Sequence, residues 1–83
     1  MTKKNFNVNT LQEQVHAITK QYLEDIGDCK DANVYHKIID SVEKSIFETI
    51  IKFTNGNQKE ASTLSGVSRN TIRAKLEKYS IKP

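Results

Sequence analysis

The sequence predicts an all-α protein of four helices, the last two forming a helix-turn-helix. Apolar residues recur every three or four positions along four segments, as on one face of a helix. No segment alternates apolar and polar residues with the period of two that a half-buried strand shows. Gly or Asn follows each of the first three segments, where these residues commonly end a helix. Periodicity and helix-ending residues together divide the chain into four helical elements.

The first predicted helix begins at Thr10 and ends before Gly27. Thr10-Leu11-Gln12-Glu13 matches a capping box, in which a hydroxyl and a carboxylate accept hydrogen bonds from free backbone amides. Apolar residues then follow at spacings of four, three, four and four, which places them on one face. They are Leu11, Val15, Ile18, Tyr22 and Ile26. Residues 1–9 are predicted as a flexible tail, and residues 28–33 as a polar connector.

The second predicted helix runs from about Asn33 to Thr54 and carries a wide apolar stripe. One neighbouring helix cannot cover a stripe of this width, and a chain of 83 residues buries only a modest core. A second copy of the chain is the simplest cover, because symmetric homodimers are the commonest oligomers. The alternative is a monomer whose other helices cover the stripe. The predicted dimer interface comprises Tyr35, Ile39, Val42, Ile46, Phe47 and Ile50.

The third and fourth helices are short and closely connected. Asn57 can cap the third helix, with Glu60 as its capping-box partner, and Gly66 can end it. Ser68 can then cap a fourth helix that runs from Arg69 to about Tyr79. Small residues suit the point where the two helices cross, and apolar residues hold them together. The small residues are Ala61 and Ser62, and the apolar ones are Leu64, Val67, Ile72 and Leu76, with Tyr79 and Ile81 as anchors for the last helix.

This plan predicts a DNA-binding unit at residues 57–79, preceded by a dimerisation core at residues 10–54. The outward face of the last helix consists mostly of hydrogen-bond donors, and Arg pairs bidentately with guanine. Arg69 lies in the first helical turn, where the positive end of the helix dipole disfavours a cation unless an anionic partner is bound. The candidate DNA-binding residues are Asn57, Lys59, Ser68, Arg69, Asn70, Thr71, Arg73, Lys75 and Lys78.

The distribution of charge agrees with a polyanionic partner at the C-terminal end. Residues 58–83 carry six Lys and Arg against two Asp and Glu, whereas residues 1–57 carry seven against eight. A basic segment beside a near-neutral remainder suits contact with nucleic acid. The alternative is a basic helix that is simply solvated.

Other residue types predict no second chemistry. Cys29 is the only cysteine and cannot form an internal disulfide, which fits a reducing cytoplasm. His16 and His36 have no partners at metal-binding spacing, so no metal is predicted. Without a Gly-rich phosphate loop or a nucleophile paired with a base, we expect neither a cofactor nor enzymatic activity. No stretch approaches the roughly 20 apolar residues of a membrane span, so no membrane association is expected.

A block of residues from Phe53 to Tyr79 carries a family resemblance. The block comprises Phe53-Thr54-Asn55-Gly56-Asn57-Gln58, Ala61, Gly66, Ser68-Arg69-Asn70-Thr71-Ile72-Arg73, Lys75-Leu76 and Lys78-Tyr79. In this block the chain resembles the Fis family (factor for inversion stimulation) of bacterial nucleoid proteins. Upstream of it, Leu11, Val15, Tyr22 and Tyr35 also align with the family without a gap. The block also resembles the C-terminal segment of NtrC-type enhancer-binding activators, which carry an ATPase module that this sequence lacks.

The resemblance implies an intertwined homodimer that places two recognition helices in successive major grooves of bent duplex DNA. It implies that Arg69 contacts guanine, and that Asn57 and Lys59 contact the backbone. Bases or flanking phosphates would be held by Ser68, Thr71, Arg73 and Lys75. The implied role is nucleoid organisation and transcription regulation in the cytoplasm, in which contact with RNA polymerase is a further expectation.

Three departures from the family pattern modify these expectations. About ten residues precede the first predicted helix, where well-known members carry a longer arm that contacts DNA invertases, so stimulation of recombination is not expected. Glu60 and Glu77 stand where basic residues are expected, and Ala74 stands in place of a lysine. These substitutions predict weaker binding to flanking DNA. Two alternative functions are a detached DNA-binding domain of an NtrC-type activator and a helical adaptor that binds another protein through the second helix.

Overall fold

The computed structural model describes residues 7–27 and 32–82. Within these ranges the chain forms four α-helices and no strand, which confirms the predicted all-α class. Helix α1 spans Val8–Ile26, α2 spans Val34–Phe53, α3 spans Gln58–Ser65 and α4 spans Arg69–Lys78. The predicted tail falls mainly on residues 1–6, and the predicted connector with Cys29 falls mainly on residues 28–31. Both segments lie outside the described residues.

Helix α1 begins earlier than predicted. The side chain of Asn7 accepts a hydrogen bond from the amide of Thr10 at 3.1 Å, and its carbonyl accepts from the amide of Leu11 at 3.3 Å. The prediction of a start at Thr10 is wrong because Asn7 supplies an equally good capping oxygen three residues upstream. The predicted end is confirmed, since Gly27 has a φ of 56°. None of the residues of α1 is buried in the single chain.

The chain divides into two compact units, and the second begins at Ile39, within α2. The core of this second unit is built from α2, α3, α4 and the residues that follow α4. Ile51 and Ile72 are each only 1% exposed. The buried cluster consists of Phe47, Ile51, Ala61, Ile72, Leu76 and Ile81, with Ile50, Val67 and Tyr79 partly buried against it. The predicted inward positions of Ala61, Ile72, Leu76 and Ile81 are therefore confirmed.

Leu64 is the exception among the predicted core residues. Its side chain is 58% exposed, so the prediction that it pins α3 to α4 is wrong. The buried face of α3 is formed by Ala61 together with the half-buried Gln58, Ser62 and Ser65. At 3.6 residues per turn, Leu64 lies roughly 110° around the helix from the centre of that face.

A tight turn ends α2 and directs the chain into α3. Asn55 adopts a left-handed φ of 55°, and the amide of Gly56 donates to the carbonyl of Ile51 at 2.9 Å. Thr54 is buried, and its hydroxyl donates to the carbonyls of Ile50 and Ile51 at 3.1 and 3.2 Å. The polar groups of the turn are thus paired by hydrogen bonds within the turn and to the end of α2.

Across the described ranges, no helix combines the length and apolar character needed to cross a membrane.

Candidate nucleic-acid interface

The turn between α3 and α4 is set by two helix caps. Gly66 adopts a left-handed φ of 79°, and its amide donates to the carbonyl of Ser62 at 3.0 Å. Glycine suits this position because a left-handed backbone strains residues that carry a Cβ. Ser68 then caps α4, since its hydroxyl oxygen accepts from the amide of Thr71 at 3.1 Å. Both predicted caps are confirmed, and together they define a helix-turn-helix with a three-residue turn.

Asn57 begins α3 as predicted, but only half of the expected capping box forms. Its side-chain oxygen accepts from the amide of Glu60 at 3.0 Å. Its own amide donates to the carbonyl of Thr54 at 3.0 Å, so that donor does not need the carboxylate of Glu60. Glu60 and Lys59 are both exposed at the start of α3. Asn57 therefore has a structural role in addition to any contact with a ligand.

The N-terminal half of α4 presents an exposed polar surface. The buried Ile72 and Leu76 fix the opposite face of this helix on the core. The hydroxyl of Ser68 donates to that of Thr71 at 3.0 Å, which leaves the hydroxyl hydrogen of Thr71 available to an external acceptor. We call this surface the α4 tip. It comprises Ser68, Arg69, Asn70, Thr71 and Arg73, all exposed.

Two arginines supply the positive charge of the α4 tip. Arg73 donates to the side-chain oxygen of Asn70 at 3.4 Å, which restrains the guanidinium on the helix surface. Arg69 forms no ion pair with any described carboxylate. It is the first residue of α4, where the positive end of the helix dipole costs a few tenths of a kcal/mol for a cation. An anion bound at this end relieves that cost.

The two lysines at the other end of α4 have acidic partners on α2. Lys75 pairs with Glu43 at 2.9 Å, and Lys78 pairs with Asp40 at 3.5 Å. Sequence reasoning missed these pairs, because residues more than thirty positions apart leave no local pattern. Part of the C-terminal positive charge is therefore neutralised within the second unit.

Tyr79 completes this arrangement at the end of α4. Its single hydroxyl hydrogen is shared between Glu43 and Asp40, and Oδ1 of Asp40 lies 3.2 Å from the hydroxyl oxygen. The hydrogen bonds from Tyr79 and then Lys75 hold the pKa of Glu43 below its usual value, against the effect of partial burial. The hydrogen bond to Glu43 raises the pKa of Tyr79. Tyr79 is thus an anchor of α4, as predicted, through its hydroxyl as well as its ring.

Comparison with known proteins assigns the family. A family model described as bacterial regulatory protein, Fis family, matches residues 38–79. Proteins named DNA-binding protein Fis from Vibrio atlanticus (strain LGP32) and Vibrio vulnificus (strain CMCP6) are 36% identical over 69 residues, which cover 83% of this chain and 70% of theirs. The chain belongs to the Fis family. No solved structure matches it.

This Fis-family chain leaves a series of apolar side chains exposed on α1 and α2. Among the residues predicted at a dimer interface, Phe47 is buried in the core of the second unit and Ile50 is half-buried against it. The other four are exposed: Tyr35 68%, Ile39 36%, Val42 41% and Ile46 47%. Phe53, which was not assigned to the interface, is 78% exposed at the end of α2.

The histidines of this Fis-family chain lie on helix surfaces. His16 is exposed on α1, and Nδ1 of His36 lies 2.8 Å from the side-chain oxygen of Asn33. The ring of His36 also meets that of Tyr35 edge-on at 5.2 Å. Within residues 7–27 and 32–82, no group of three or more His, Cys, Asp or Glu side chains is arranged to hold a metal ion.

Proposed function

We propose that this chain is a homodimeric protein that binds and bends duplex DNA, in nucleoid organisation and transcription regulation. The observation that carries the proposal is the α4 tip, an exposed polar and basic helix end held by a helix-turn-helix. In this motif the N-terminal residues of the second helix contact base edges in the major groove. The Vibrio relatives named DNA-binding protein Fis support the same function.

The proposed contacts divide between bases and phosphates. Arg69, exposed at the leading end of α4, would make a bidentate contact with guanine. Backbone contacts come from Asn57 and Lys59 on α3, and from Lys78 if it leaves its exposed pair with Asp40. The other proposed contacts to bases or flanking phosphates are Ser68, Asn70, Thr71 and Arg73. The predicted contact of Lys75 with DNA competes with its ion pair to Glu43.

A second copy of the chain would cover the apolar side chains that α1 and α2 each leave exposed. Leu11, Ile18 and Tyr22 are between 38% and 50% exposed, although they occupy one face of an amphipathic helix. Leaving such a face in water forgoes about 25 cal/mol per Å² of apolar area. We therefore propose residues 10–54 as the dimerisation core and residues 57–79 as the DNA-binding unit. The interface would include Tyr35, Ile39, Val42 and Ile46, with Phe47 and Ile50 at its edge.

DNA bending follows from the geometry that the family resemblance implies. Two recognition helices closer together than one helical turn of DNA can enter successive major grooves only if the duplex bends. Narrowing of the central minor groove then favours A/T-rich centres that the protein does not touch. Permuting the binding site along a fragment tests the bend. We expect slowest migration with the site in the middle, and equal migration at every position contradicts bending.

Titration with a random-sequence duplex at several salt concentrations tests the function itself. We expect retention that weakens steeply as salt rises, because each neutralised phosphate releases a counterion. If the protein shows no salt-sensitive retention of the duplex, DNA binding is contradicted and the adaptor alternative is favoured. The role we propose is not catalytic and uses no cofactor. The protein would act at the nucleoid in the cytoplasm, and it would also contact RNA polymerase.

A further inference from the structure

One donor from the last turn of α4 and one from the residue that caps it converge on a single oxygen of α2. Lys75 Nζ and Tyr79 Oη both donate to Oε1 of Glu43, across 32 and 36 positions of sequence. Glu43 and both of its partners belong to the unit that begins at Ile39. We call Glu43, Lys75 and Tyr79 the α4 clamp.

The position of the α4 clamp complements that of the apolar core. The core holds α4 through Ile72 and Leu76, and apolar contacts are not directional. The clamp adds directional, charge-assisted hydrogen bonds at positions 75 and 79, one turn apart, which restrain both rotation and sliding of α4. Restraint at the C-terminal end of a ten-residue rigid helix also limits where its other end, the α4 tip, points.

The clamp differs from the neighbouring pair of Lys78 with Asp40. The side chains of Lys75 and Glu43 are 25% and 30% exposed, whereas those of Lys78 and Asp40 are 51% and 45% exposed. The clamp pair is also shorter, at 2.9 Å against 3.5 Å. Exposed pairs are weak and exchange partners readily. Lys78 can therefore exchange its carboxylate for a phosphate, while Lys75 would have to leave a half-buried carboxylate that accepts two donors.

We propose, on the basis of the DNA-binding function proposed above, that Glu43 is a positioning residue that aims the recognition helix, and that Lys75 serves this clamp instead of contacting phosphate. The DNA-facing charge of the unit then comes from Lys59, Arg69, Arg73 and Lys78. Specificity depends on the clamp, because a bidentate contact by Arg69 requires a fixed orientation of its helix.

The first test separates the two roles of lysine by the salt dependence of binding. Lys75→Met and the matched variant Lys59→Met both keep the aliphatic stem and remove one charge. With a random-sequence duplex, we expect Lys59→Met to reduce the slope of log affinity against log salt by about one, as for one lost phosphate contact. We expect Lys75→Met to leave that slope unchanged. A reduction by about one in a folded Lys75→Met protein overturns the inference while leaving the proposed function intact.

The second test concerns positioning and uses Glu43 itself. Glu43→Gln keeps an oxygen that accepts from Tyr79 and Lys75, whereas Glu43→Ala removes it. We expect Glu43→Ala to lower several-fold the ratio of affinity for a guanine-flanked, A/T-centred duplex to affinity for random duplex. We expect Glu43→Gln to restore most of that ratio. Tyr79→Phe removes one donor and keeps the ring, so it replaces Glu43→Ala if that variant does not fold.

The outcomes of the second test are decisive. An unchanged affinity ratio in folded Glu43→Ala, or in Tyr79→Phe where it replaces that variant, overturns the positioning role. Failure of the wild-type protein to bind either duplex refutes the proposed function and this inference together.

Discussion

The two compact units differ in how far the single chain completes them. In the unit that begins at Ile39, five helix residues and Ile81 form a buried core, with Ile51 and Ile72 only 1% exposed. In the preceding unit, α1 has the apolar spacing of an amphipathic helix but buries none of its residues. The same kind of apolar patterning thus has two outcomes. The C-terminal unit buries a core of its own but leaves Ile39, Val42 and Ile46 of α2 exposed, whereas α1 in the N-terminal unit has no buried residue in the single chain.

The largest expected effect tests whether a second copy covers the apolar side chains that the single chain leaves exposed. Ile46 is 47% exposed in the single chain, so a monomer should tolerate Asp there. If a second copy covers Ile46, Ile46→Asp buries an unpaired charge, and we expect the protein to unfold instead of yielding a folded monomer. Circular dichroism measures whether the variant is folded, and light scattering measures its oligomeric mass.

A matched variant controls for the introduced charge. Ser41 is exposed and lies about 140° around α2 from Ile46, so Ser41→Asp adds the same carboxylate to another face. We expect Ser41→Asp to keep its fold and mass. A folded, monomeric Ile46→Asp protein would show instead that the single chain is self-sufficient.

The second largest effect tests the buried core of the C-terminal unit. Ile72→Ala removes a side chain that is 1% exposed, and large-to-small changes in a core cost about 2 to 5 kcal/mol. We expect that loss in the free energy of unfolding, without a change in the oligomeric mass of the folded fraction. Leu64→Ala is the control, since a side chain that is 58% exposed should contribute less than about 0.5 kcal/mol. Equal losses for both variants would contradict the described core.

The third effect leaves stability unchanged and separates base contact from charge. Arg69→Ala should cost roughly 1 to 3 kcal/mol on the preferred site and much less on random duplex, because it removes a bidentate guanine contact. Lys78→Ala should weaken both complexes alike and reduce the salt slope by about one. Both residues are exposed, so the melting curves should barely move. If Arg69→Ala weakens both complexes in the same ratio, Arg69 is only a phosphate contact.

The smallest effect is a dependence of stability on pH that belongs to the C-terminal unit. Because the pKa of Glu43 is lowered in the folded protein, its ionised form stabilises the fold at every pH above the pKa of an unfolded glutamate. That contribution is lost as pH falls through the folded pKa. We expect the melting temperature of wild type to exceed that of Glu43→Gln at neutral pH, with the difference closing in acid. In a Tyr79→Phe background the difference should shrink, and a difference independent of pH would contradict this role.

Local features of the fold were predictable from sequence, and distant pairings were not. The caps at Asn57, Gly66 and Ser68 depend on residues within one turn, so spacing alone predicted them. The start of α1 was misplaced because Asn7 competes with Thr10 for the same role.

In the candidate site, sequence reasoning identified the exposed tip of α4 but not the acidic partners at its other end. Glu43 and Lys75 are 32 positions apart, and only the folded chain brings them together. For the same reason sequence reasoning did not place Phe47 in the core, where it packs in one buried cluster with Ile51 and Ile72.

The mass of the complex on a short duplex with one binding site tests the central claim most directly. If a second copy covers the exposed apolar side chains of α1 and α2 and each chain inserts one α4 tip, light scattering should show two protein chains on each duplex. The free protein should have the mass of two chains at low micromolar concentration, and its melting temperature should rise with concentration. A single chain bound per duplex, together with a monomeric free protein that melts independently of concentration, would contradict the account.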